Sequence, residues 1–165
     1  MQINAAEIRS AQAQLAMTPV AVRNRALVEF SRLLKKNAAE VLRANGVDVR
    51  AAQRAQLTSA FLDRLMLNHK RLEDMAAVLR EVASASDPLG RSSKVKTLKN
   101  GLKARKITRP LGVIFLIFES RPNVAVESFA LALKSGNALI LKGGRESAAT
   151  IKVLEKLMQR ALKNV

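Results

Sequence analysis

The chain has 165 residues, of which 48% are apolar, and its 29 Lys and Arg against 13 Asp and Glu give a formal net charge of +16 at pH 7. This length suits one domain or part of a larger one, and a compact chain of this size buries roughly 70% of its unfolded surface. Cysteine is absent, which excludes a disulfide framework, a thiolate nucleophile and a cysteine metal site within these residues. No apolar run approaches the ~20 residues that cross a bilayer, and residues 1–10 lack the regions of a signal peptide, so a cytoplasmic protein without membrane contact is expected.

The excess of positive charge raises nucleic-acid binding as one hypothesis, because Lys and Arg contacts to phosphates release counterions. Aromatic residues make up only 3% of the chain, and neither Trp nor Tyr is present to stack on bases. The basic residues are also spread over many predicted helices. Nucleic acid is therefore the least favoured of the partners considered below.

Residues 1–90 are predicted to be helical. Thr18 and Pro19 are typical of a helix start, with a capping hydroxyl followed by proline at the first helical position. Apolar residues then keep helical spacing as far as Asn45-Gly46, which predicts that one long helix ends there.

Shorter helices are predicted after this long one, from Asp48 to Gln56 and from Ser59 to Leu67. Asn68 is expected to cap a further helix, which Asp87-Pro88-Leu89-Gly90 ends with turn-forming residues. His69, the only histidine, lies in the first turn of that helix. Since no other ligand or base lies near it in the sequence, we expect a solvated side chain rather than a metal ligand.

Residues 91–109 contain eight basic residues and no acidic one. Within them Lys99-Asn100-Gly101-Leu102 is typical of a two-residue type I′ hairpin, which would place Lys96 opposite Arg105. One face would then carry four like charges, those of Lys94, Lys96, Lys103 and Arg105. Because an isolated two-stranded hairpin is marginally stable, a partner is expected to cover it. A solvated, mobile hairpin and a basic ribbon that lies along phosphates are the alternatives.

Residues 110–165 are predicted to form a βαβα unit. Val113 to Phe118 is an uninterrupted apolar run, typical of a strand that is buried on both faces. A helix from Pro122 to Ser135-Gly136 separates it from a second strand, Ala138 to Leu141, and strands joined in this way should be parallel. A last amphipathic helix carries Ile151, Leu154, Leu157, Met158 and Leu162.

Two polar segments should meet at the carboxyl edge of this sheet, where ligands bind in such folds: Glu119 to Asn123, and Lys142 to Glu146. The dinucleotide fingerprint G-x-G-x-x-G is absent after the first strand. Lys142-Gly143-Gly144 and Arg145 instead offer backbone N–H groups, a helix N-terminus and formal positive charge to an anion. A glycine-containing strand-to-helix turn explains the same residues without a ligand, and the pattern alone favours that interpretation.

The segment PLGVIFLIFESRPNVAVESFALALKSGNALILKGGRES resembles the gamma-glutamyl phosphate reductases, also called glutamate-5-semialdehyde dehydrogenases, of the aldehyde dehydrogenase superfamily. ESRPNV and KSGNALILKGG carry the resemblance, which extends upstream through FLDRLMLNHKRLEDMAAVLREVASASDPLG and more loosely to residue 1. It implies an α/β fold: a helical N-terminal part of a cofactor domain (1–90), a basic β-hairpin that resembles an oligomerisation arm (91–109), and the first βαβα of a parallel NADP-binding sheet (110–165). A homo-oligomer or a complementing chain that binds through residues 94–107 is implied.

The resemblance also implies a function and a set of site residues. Such enzymes use NADPH and an active-site cysteine to convert gamma-glutamyl phosphate to glutamate-5-semialdehyde in proline biosynthesis. Asn123 matches the asparagine whose amide stabilises the oxyanion, and Lys142 matches the lysine that contacts the adenosine ribose. The other implied cofactor-binding residues are Glu119, Ser120, Arg121, Gly143, Gly144, Arg145 and Glu146. Arg145 would meet a 2′-phosphate or remain a surface charge, and Glu146 would contact ribose or complement its helix N-terminus.

The nucleophilic cysteine and the catalytic domain are missing from the chain. We therefore expect no reductase activity from these residues alone, and an N-terminal portion of such an enzyme: a truncated gene product, an engineered segment or half of a split protein. The sheet should then expose an apolar edge. A non-catalytic remnant or interaction module, and a basic nucleic-acid-binding protein, are the alternative functions.

Overall fold

The computed structural model describes residues 4–165, so the first three residues of the predicted helical region lie outside it. The helices are α1 (Ala5–Met17), α2 (Val20–Lys36), α3 (Ala38–Arg54), α4 (Ser59–Leu65), α5 (His69–Ser84), α6 (Pro122–Lys134) and α7 (Ala148–Lys163). The strands are β1 (Lys96–Thr97), β2 (Lys103–Ala104), β3 (Val113–Ile117) and β4 (Ala138–Lys142). Five helices, a hairpin and a βαβα unit thus follow one another, which confirms the predicted α/β fold class.

The core lies where α2, α5, α6 and α7 meet. Leu27, Phe30 and Leu79 are fully buried there. The ring of Phe30 packs edge-to-face on that of Phe129, with centroids 5.4 Å apart and planes at 82°. Burying each such side chain contributes about 1.5 to 3 kcal/mol, so this helical layer is the main source of stability. On α7 the apolar face includes Ala161, whereas Leu162, which was predicted to lie on it, is exposed.

The long helix predicted to end at Asn45-Gly46 breaks earlier, at Asn37, and the prediction was wrong. The Asn37 side chain donates to the carbonyl of Leu33 at 2.6 Å, and this local bond supports the end of α2. Gly46 lies inside α3, which continues through the segment predicted as a separate helix. Asn45 and Asp48 are buried on one side of α3, where they accept from the N–H groups of Leu67 and Thr150 and so join α3 to distant segments.

Thr18 ends a helix instead of beginning one. Its N–H donates to the carbonyl of Leu15 and its hydroxyl to that of Gln14, so both groups close α1. Pro19 takes the N-cap position of α2, where its carbonyl accepts the first N–H groups. By contrast, Asn68 caps α5 as predicted, because its side-chain oxygen accepts from the N–H of Arg71 at 2.8 Å.

The hairpin of β1 and β2 forms with a register that differs from the predicted one. Lys96 pairs with Ala104 and Thr97 with Lys103, so Lys96 does not face Arg105. Only Gly101 in the loop has positive φ, and the carbonyl of Leu98 accepts its N–H, which is the pattern of a three-residue loop. The extra loop residue shifts the pairing by one, so Lys96 and Lys103 lie on opposite faces of the ribbon.

Strands β3 and β4 are parallel, as predicted, with Val113 opposite Ala138 and Ile117 opposite Lys142. Pro122 is the first residue of α6, as predicted. Gly136, whose φ is +69°, lies in the turn that closes α6; the N–H groups of Gly136 and Asn137 donate to the carbonyls of Leu133 and Ala132, respectively. This pair of hydrogen bonds is the Schellman motif, which turns the chain directly into β4.

Strand β3 is not buried on both faces, so that prediction was wrong. Val113, Phe115 and Ile117 are 39%, 59% and 69% exposed, while the residues between them are half-buried. The cause is that the described helices cover only one face of the two-stranded sheet, whose alternate side chains point to opposite sides. An apolar stripe therefore remains on the surface.

Candidate active-site rim

The two predicted ligand-binding segments leave the sheet at the same edge. Ile117 and Lys142 are paired at the carboxyl ends of β3 and β4, and the N–H of Phe118 donates to the carbonyl of Lys142 at 3.0 Å. Ser120 and Glu146 then join the segments, because the Ser120 hydroxyl donates to the Glu146 carboxylate at 2.8 Å. The parallel register thus produces one rim from residues far apart in the sequence.

Glu146 is held as a carboxylate at this rim. Its own backbone N–H and then the Ser120 hydroxyl lower the pKa of its side chain. Ser120 is buried, so its hydroxyl has a fixed direction. The carboxylate therefore fixes the loop after β4 to the loop after β3, and its charge persists at neutral pH.

The two loops of the rim approach each other closely at Gly143 and Gly144. A Cβ at Gly143 would lie 2.9 Å from the ring of Phe118. One at Gly144 would crowd the Ser120 hydroxyl oxygen and lie 2.6 Å from a carboxylate oxygen of Glu146. A side chain at either position would therefore force the neighbouring side chains to shift.

The first turn of α7 is occupied by a carboxylate of the chain itself. Asp48 on α3 accepts from the N–H groups of Ala149 and Thr150, at 3.1 and 2.8 Å, and from the Thr150 hydroxyl at 2.6 Å. These donors are thus already satisfied. Positive charge at the rim comes instead from Lys142 and Arg145, both of which are exposed.

The segment after β3 sends its side chains in two directions. While Ser120 turns to the loop after β4, Glu119 forms an ion pair with Arg64 of α4 at 3.1 Å. Arg121 and Asn123 line a cleft of 320 Å³ beside α4 and α5. The segment therefore separates the Lys142 side of the rim from this cleft.

Asn123 has a defined orientation in the cleft. Its side-chain amide donates to the carboxylate of Glu127, one turn further along α6, at 3.1 Å. The remaining cleft residues are Asp63, Arg64, Met66, Leu67, Arg71, Asp74, Met75 and Val78. The amide thus lies in a small concave space lined by groups of both charges, a setting that suits a small polar ligand.

The sequence alone predicted no functional role for four residues of the site: Arg64, Arg71, Asp48 and Glu127. Asp48 caps a helix that begins a hundred positions later, and no local pattern indicates such a contact. Glu127 follows Asn123 by four positions on one helix, and this spacing was the one signal in the sequence that pointed to the pair. His69 is exposed, as predicted, and residues 4–165 bring together no group of three or more His, Cys, Asp or Glu side chains that could hold a metal ion.

Residues 2–163 match the model of the aldehyde dehydrogenase family. A curated relative from Aquifex aeolicus, named gamma-glutamyl phosphate reductase, is 42% identical over 153 residues, which are 93% of this chain and 35% of the relative. The crystal structure of gamma-glutamyl phosphate reductase from Thermotoga maritima superposes with a TM-score of 0.89 at 33% identity, over 97% of this chain and 39% of that one. The chain thus spans about a third of the length of such relatives.

A more distant structure shares the fold. PnpE in complex with nicotinamide adenine dinucleotide superposes with a TM-score of 0.72 at 17% identity, over 94% of this chain and 30% of that one. Within residues 4–165, no helix is both long enough and apolar enough to cross a membrane.

Proposed function

Because the chain belongs to the aldehyde dehydrogenase family, we propose that it supplies the cofactor-binding rim and the oxyanion donor of a reductase. The reductase converts gamma-glutamyl phosphate to glutamate-5-semialdehyde with NADPH, a step of proline biosynthesis in the cytoplasm. The observation that carries the proposal is the shared edge of β3 and β4. There, the oriented amide of Asn123 and the exposed cations of Lys142 and Arg145 follow two paired strands. The relatives named above support the substrate.

The amide of Asn123 is the catalytic group that these residues contribute. When a nucleophile attacks the acyl phosphate, negative charge develops on the carbonyl oxygen, and an N–H donor aimed at it stabilises that charge. Such a donor contributes roughly 3 kcal/mol to the transition state. Glu127 accepts one amide hydrogen of Asn123 and leaves the other for the substrate oxygen.

The nucleophile is a cysteine thiolate, which these 165 residues do not contain. Attack of a thiolate on the acyl phosphate would form a thioester and release phosphate. We infer that the thiolate comes from outside residues 1–165, and that these residues alone do not catalyse the reduction. The alternative role is a non-catalytic interaction module that retains the cofactor rim.

The rim fits an anionic dinucleotide. Lys142 and Arg145 are exposed on either side of two glycines, and the carboxylate of Glu146 is bound by Ser120. Bound there, NADPH would supply the hydride that reduces the acyl group. Lys142 would contact the adenosine ribose and Arg145 the 2′-phosphate, since a guanidinium binds phosphate through two hydrogen bonds. Glu119, Ser120 and Arg121 would line the cofactor mainly through their backbone.

The cofactor role is tested by titrating the chain with NADPH and with NADH while the nicotinamide fluorescence is followed. We expect tighter binding of NADPH, a loss of that preference in Arg145→Gln, and weaker binding of both cofactors in Lys142→Met. Lys163→Met, at an exposed lysine in the last turn of α7, is the control. If the parent chain binds NADPH and NADH equally tightly, and Arg145→Gln does the same, the proposed contact to the 2′-phosphate is excluded.

The catalytic role is tested in a hybrid in which these residues are joined to the cysteine-containing remainder of the Aquifex aeolicus relative. Asn123→Ala should lower kcat by about 10² to 10³ with little change in KM, because the amide acts on the transition state. An active hybrid whose kcat does not change would exclude Asn123 as the oxyanion donor.

We further propose that the hairpin binds a second copy of the chain, or a complementing chain, through residues 94–107. Every residue from 91 to 109 is exposed, including Val95 at 57% and Leu102 at 59%. Exposed apolar side chains next to both strands are typical of a ribbon that packs on a protein. If the hairpin instead binds nucleic acid, retention on heparin would fall steeply with salt and Leu102→Ser would not change it.

A further inference from the structure

The cleft beside Asn123 is lined by three guanidinium groups and three carboxylates. They are Arg64, Arg71 and Arg121, and Asp63, Asp74 and Glu127. Most of them already have a partner: Arg64 pairs with Glu119 at 3.1 Å, Arg71 with Asp63 at 2.7 Å, and Asp74 with Lys70 at 3.4 Å. Arg71 also donates to the carbonyl of Met66 at 2.7 Å. These groups thus balance one another's charge.

Two charges in the cleft lack a counter-ion. Within residues 4–165, neither Arg121 nor Glu127 takes part in an ion pair, and Glu127 accepts only the neutral amide of Asn123. One positive charge (Arg121) and one negative charge (Glu127) therefore remain unpaired, one before and one after Asn123 in the sequence. Arg121 precedes Asn123 by two residues, and Glu127 follows it by one helical turn.

We propose that Arg121 and Glu127 recognise the α-carboxylate and the α-ammonium group of an amino-acid substrate whose γ-carbonyl lies at Asn123. The assignment rests on the proposed function, in which Asn123 faces that carbonyl. In a γ-glutamyl compound only two methylene groups separate the α-carbon from the γ-carbonyl. The zwitterionic end therefore lies within the same small cleft as the reacting group.

The charges explain how such a site selects its substrate. A ligand without the ammonium group leaves the Glu127 carboxylate without a counter-ion, and a ligand without the α-carboxylate leaves Arg121 without one. Hydrogen bonds to charged groups are worth about 1.5 to 3 kcal/mol, so each missing group should weaken binding by at least about tenfold. Arg121 and Glu127 are thus specificity-determining residues, separate from the oxyanion donor.

The test is a nuclear magnetic resonance titration of the ¹⁵N-labelled chain with L-glutamate γ-methyl ester. This probe carries both α-groups and a neutral γ-carbonyl. Monomethyl glutarate, which lacks the ammonium group, and methyl 4-aminobutyrate, which lacks the α-carboxylate, are the comparison ligands. We expect saturable shifts at the Asn123 side-chain amide with the first probe and binding about tenfold weaker with each of the others.

Variants assign each group to its residue. Glu127→Gln should abolish the preference for L-glutamate γ-methyl ester over monomethyl glutarate. Arg121→Gln should abolish the preference for the same probe over methyl 4-aminobutyrate. Neither variant should change the other preference. Glutamine at position 127 keeps an oxygen that accepts from Asn123, so the amide stays in place. Glu40→Gln and Lys152→Gln, at exposed positions outside the cleft, are the matched controls and should bind like the parent chain.

The outcomes separate this inference from the proposed function. Equal binding of the three ligands, no saturable shift at Asn123, or unchanged preferences in both variants would overturn the zwitterion subsite. Loss of the expected preferences in the variants supports it. Reductase activity of the hybrid described above is a separate measurement, so an inactive hybrid that still shows these ligand preferences would refute the reductase and leave the subsite standing.

Discussion

The helical layer and the basic hairpin differ in how their residues are held. In the layer, side chains such as Leu79 are fully buried, and the start of α7 is bonded to Asp48 of α3, far away in the sequence. In the hairpin, from 91 to 109, every residue is exposed and the strands are two residues long. The same chain thus contains a region whose residues are set by internal packing and a region whose residues are free to serve a partner.

The largest expected effect is the truncation of a core leucine. Leu79→Ala should lower the free energy of unfolding by about 4 kcal/mol, because it removes buried contacts and leaves a cavity between α2 and α5. Leu102→Ala, at an exposed leucine of the hairpin, should change it by less than about 0.5 kcal/mol. Urea denaturation followed by circular dichroism measures both. A large effect of Leu102→Ala in dilute monomer would show that the hairpin packs internally.

The next effect is the loss of the carboxylate that joins α3 to α7. Asp48→Ala should cost about 3 kcal/mol, since it removes three hydrogen bonds and leaves the N–H groups of Ala149 and Thr150 without their acceptor. Asp74→Ala, which removes an exposed ion pair, is the matched control and should cost less than about 1 kcal/mol. Equal costs in the two variants would contradict the importance of the buried cap.

Two glycines with similar φ allow a direct comparison of the helical layer and the hairpin. Gly136 has φ of +69°, and a Cβ there would lie 3.0 Å from Leu89 and 3.2 Å from Pro110, whereas Gly101 has φ of +81° and open space around it. Gly136→Ala should therefore cost about 2 kcal/mol through backbone strain and crowding. Gly101→Ala should strain only the hairpin loop, with little change in global unfolding. Thermal melts of the two variants, compared with the parent, test the difference.

The smallest effect is a pH dependence at the surface of the helical layer. Hydrogen bonds from Arg32 and then Asn164 lower the pKa of Glu29 from 4.5 to about 2. The stabilisation is present above the unfolded value near 4.5 and is lost as pH falls toward about 2. Glu29→Gln should remove this dependence, and unfolding midpoints measured at several pH values in that window are the check. Glu40→Gln is the control, and an unchanged pH profile in Glu29→Gln would exclude the Glu29 contribution.

The sequence predicted the elements whose signals are local. The cap at Asn68, the proline that begins α6 and the turn at Gly136 each depend on one or two neighbouring residues, and all three are present. The parallel pairing of β3 and β4 was also predicted, because a helix between two strands allows little else. The relative position of the two rim segments followed from that pairing.

The errors arose where a distant contact or one loop residue decides the outcome. The break at Asn37 replaced the one predicted at Gly46, since buried bonds of Asn45 and Asp48 keep α3 continuous. The hairpin register changed by one because Asn100 does not adopt the positive φ of a type I′ turn. In the cleft, the partner of Arg64 comes from the loop after β3 and that of Arg71 from α4, so the unpaired charges could not be counted before the fold was known.

The bond between Asp48 and the start of α7 has a consequence for the order in which the molecule forms. It closes a loop of about a hundred residues, and the entropy of closing such a loop is lost before the contact is gained. α5 packs on α2 across about half that length of chain, since 45 positions separate Ser31 from Ala76, so closing this contact costs less entropy. We therefore expect the α2–α5 pair to belong to the folding nucleus and α7 to dock late, with φ-values near zero along its buried face.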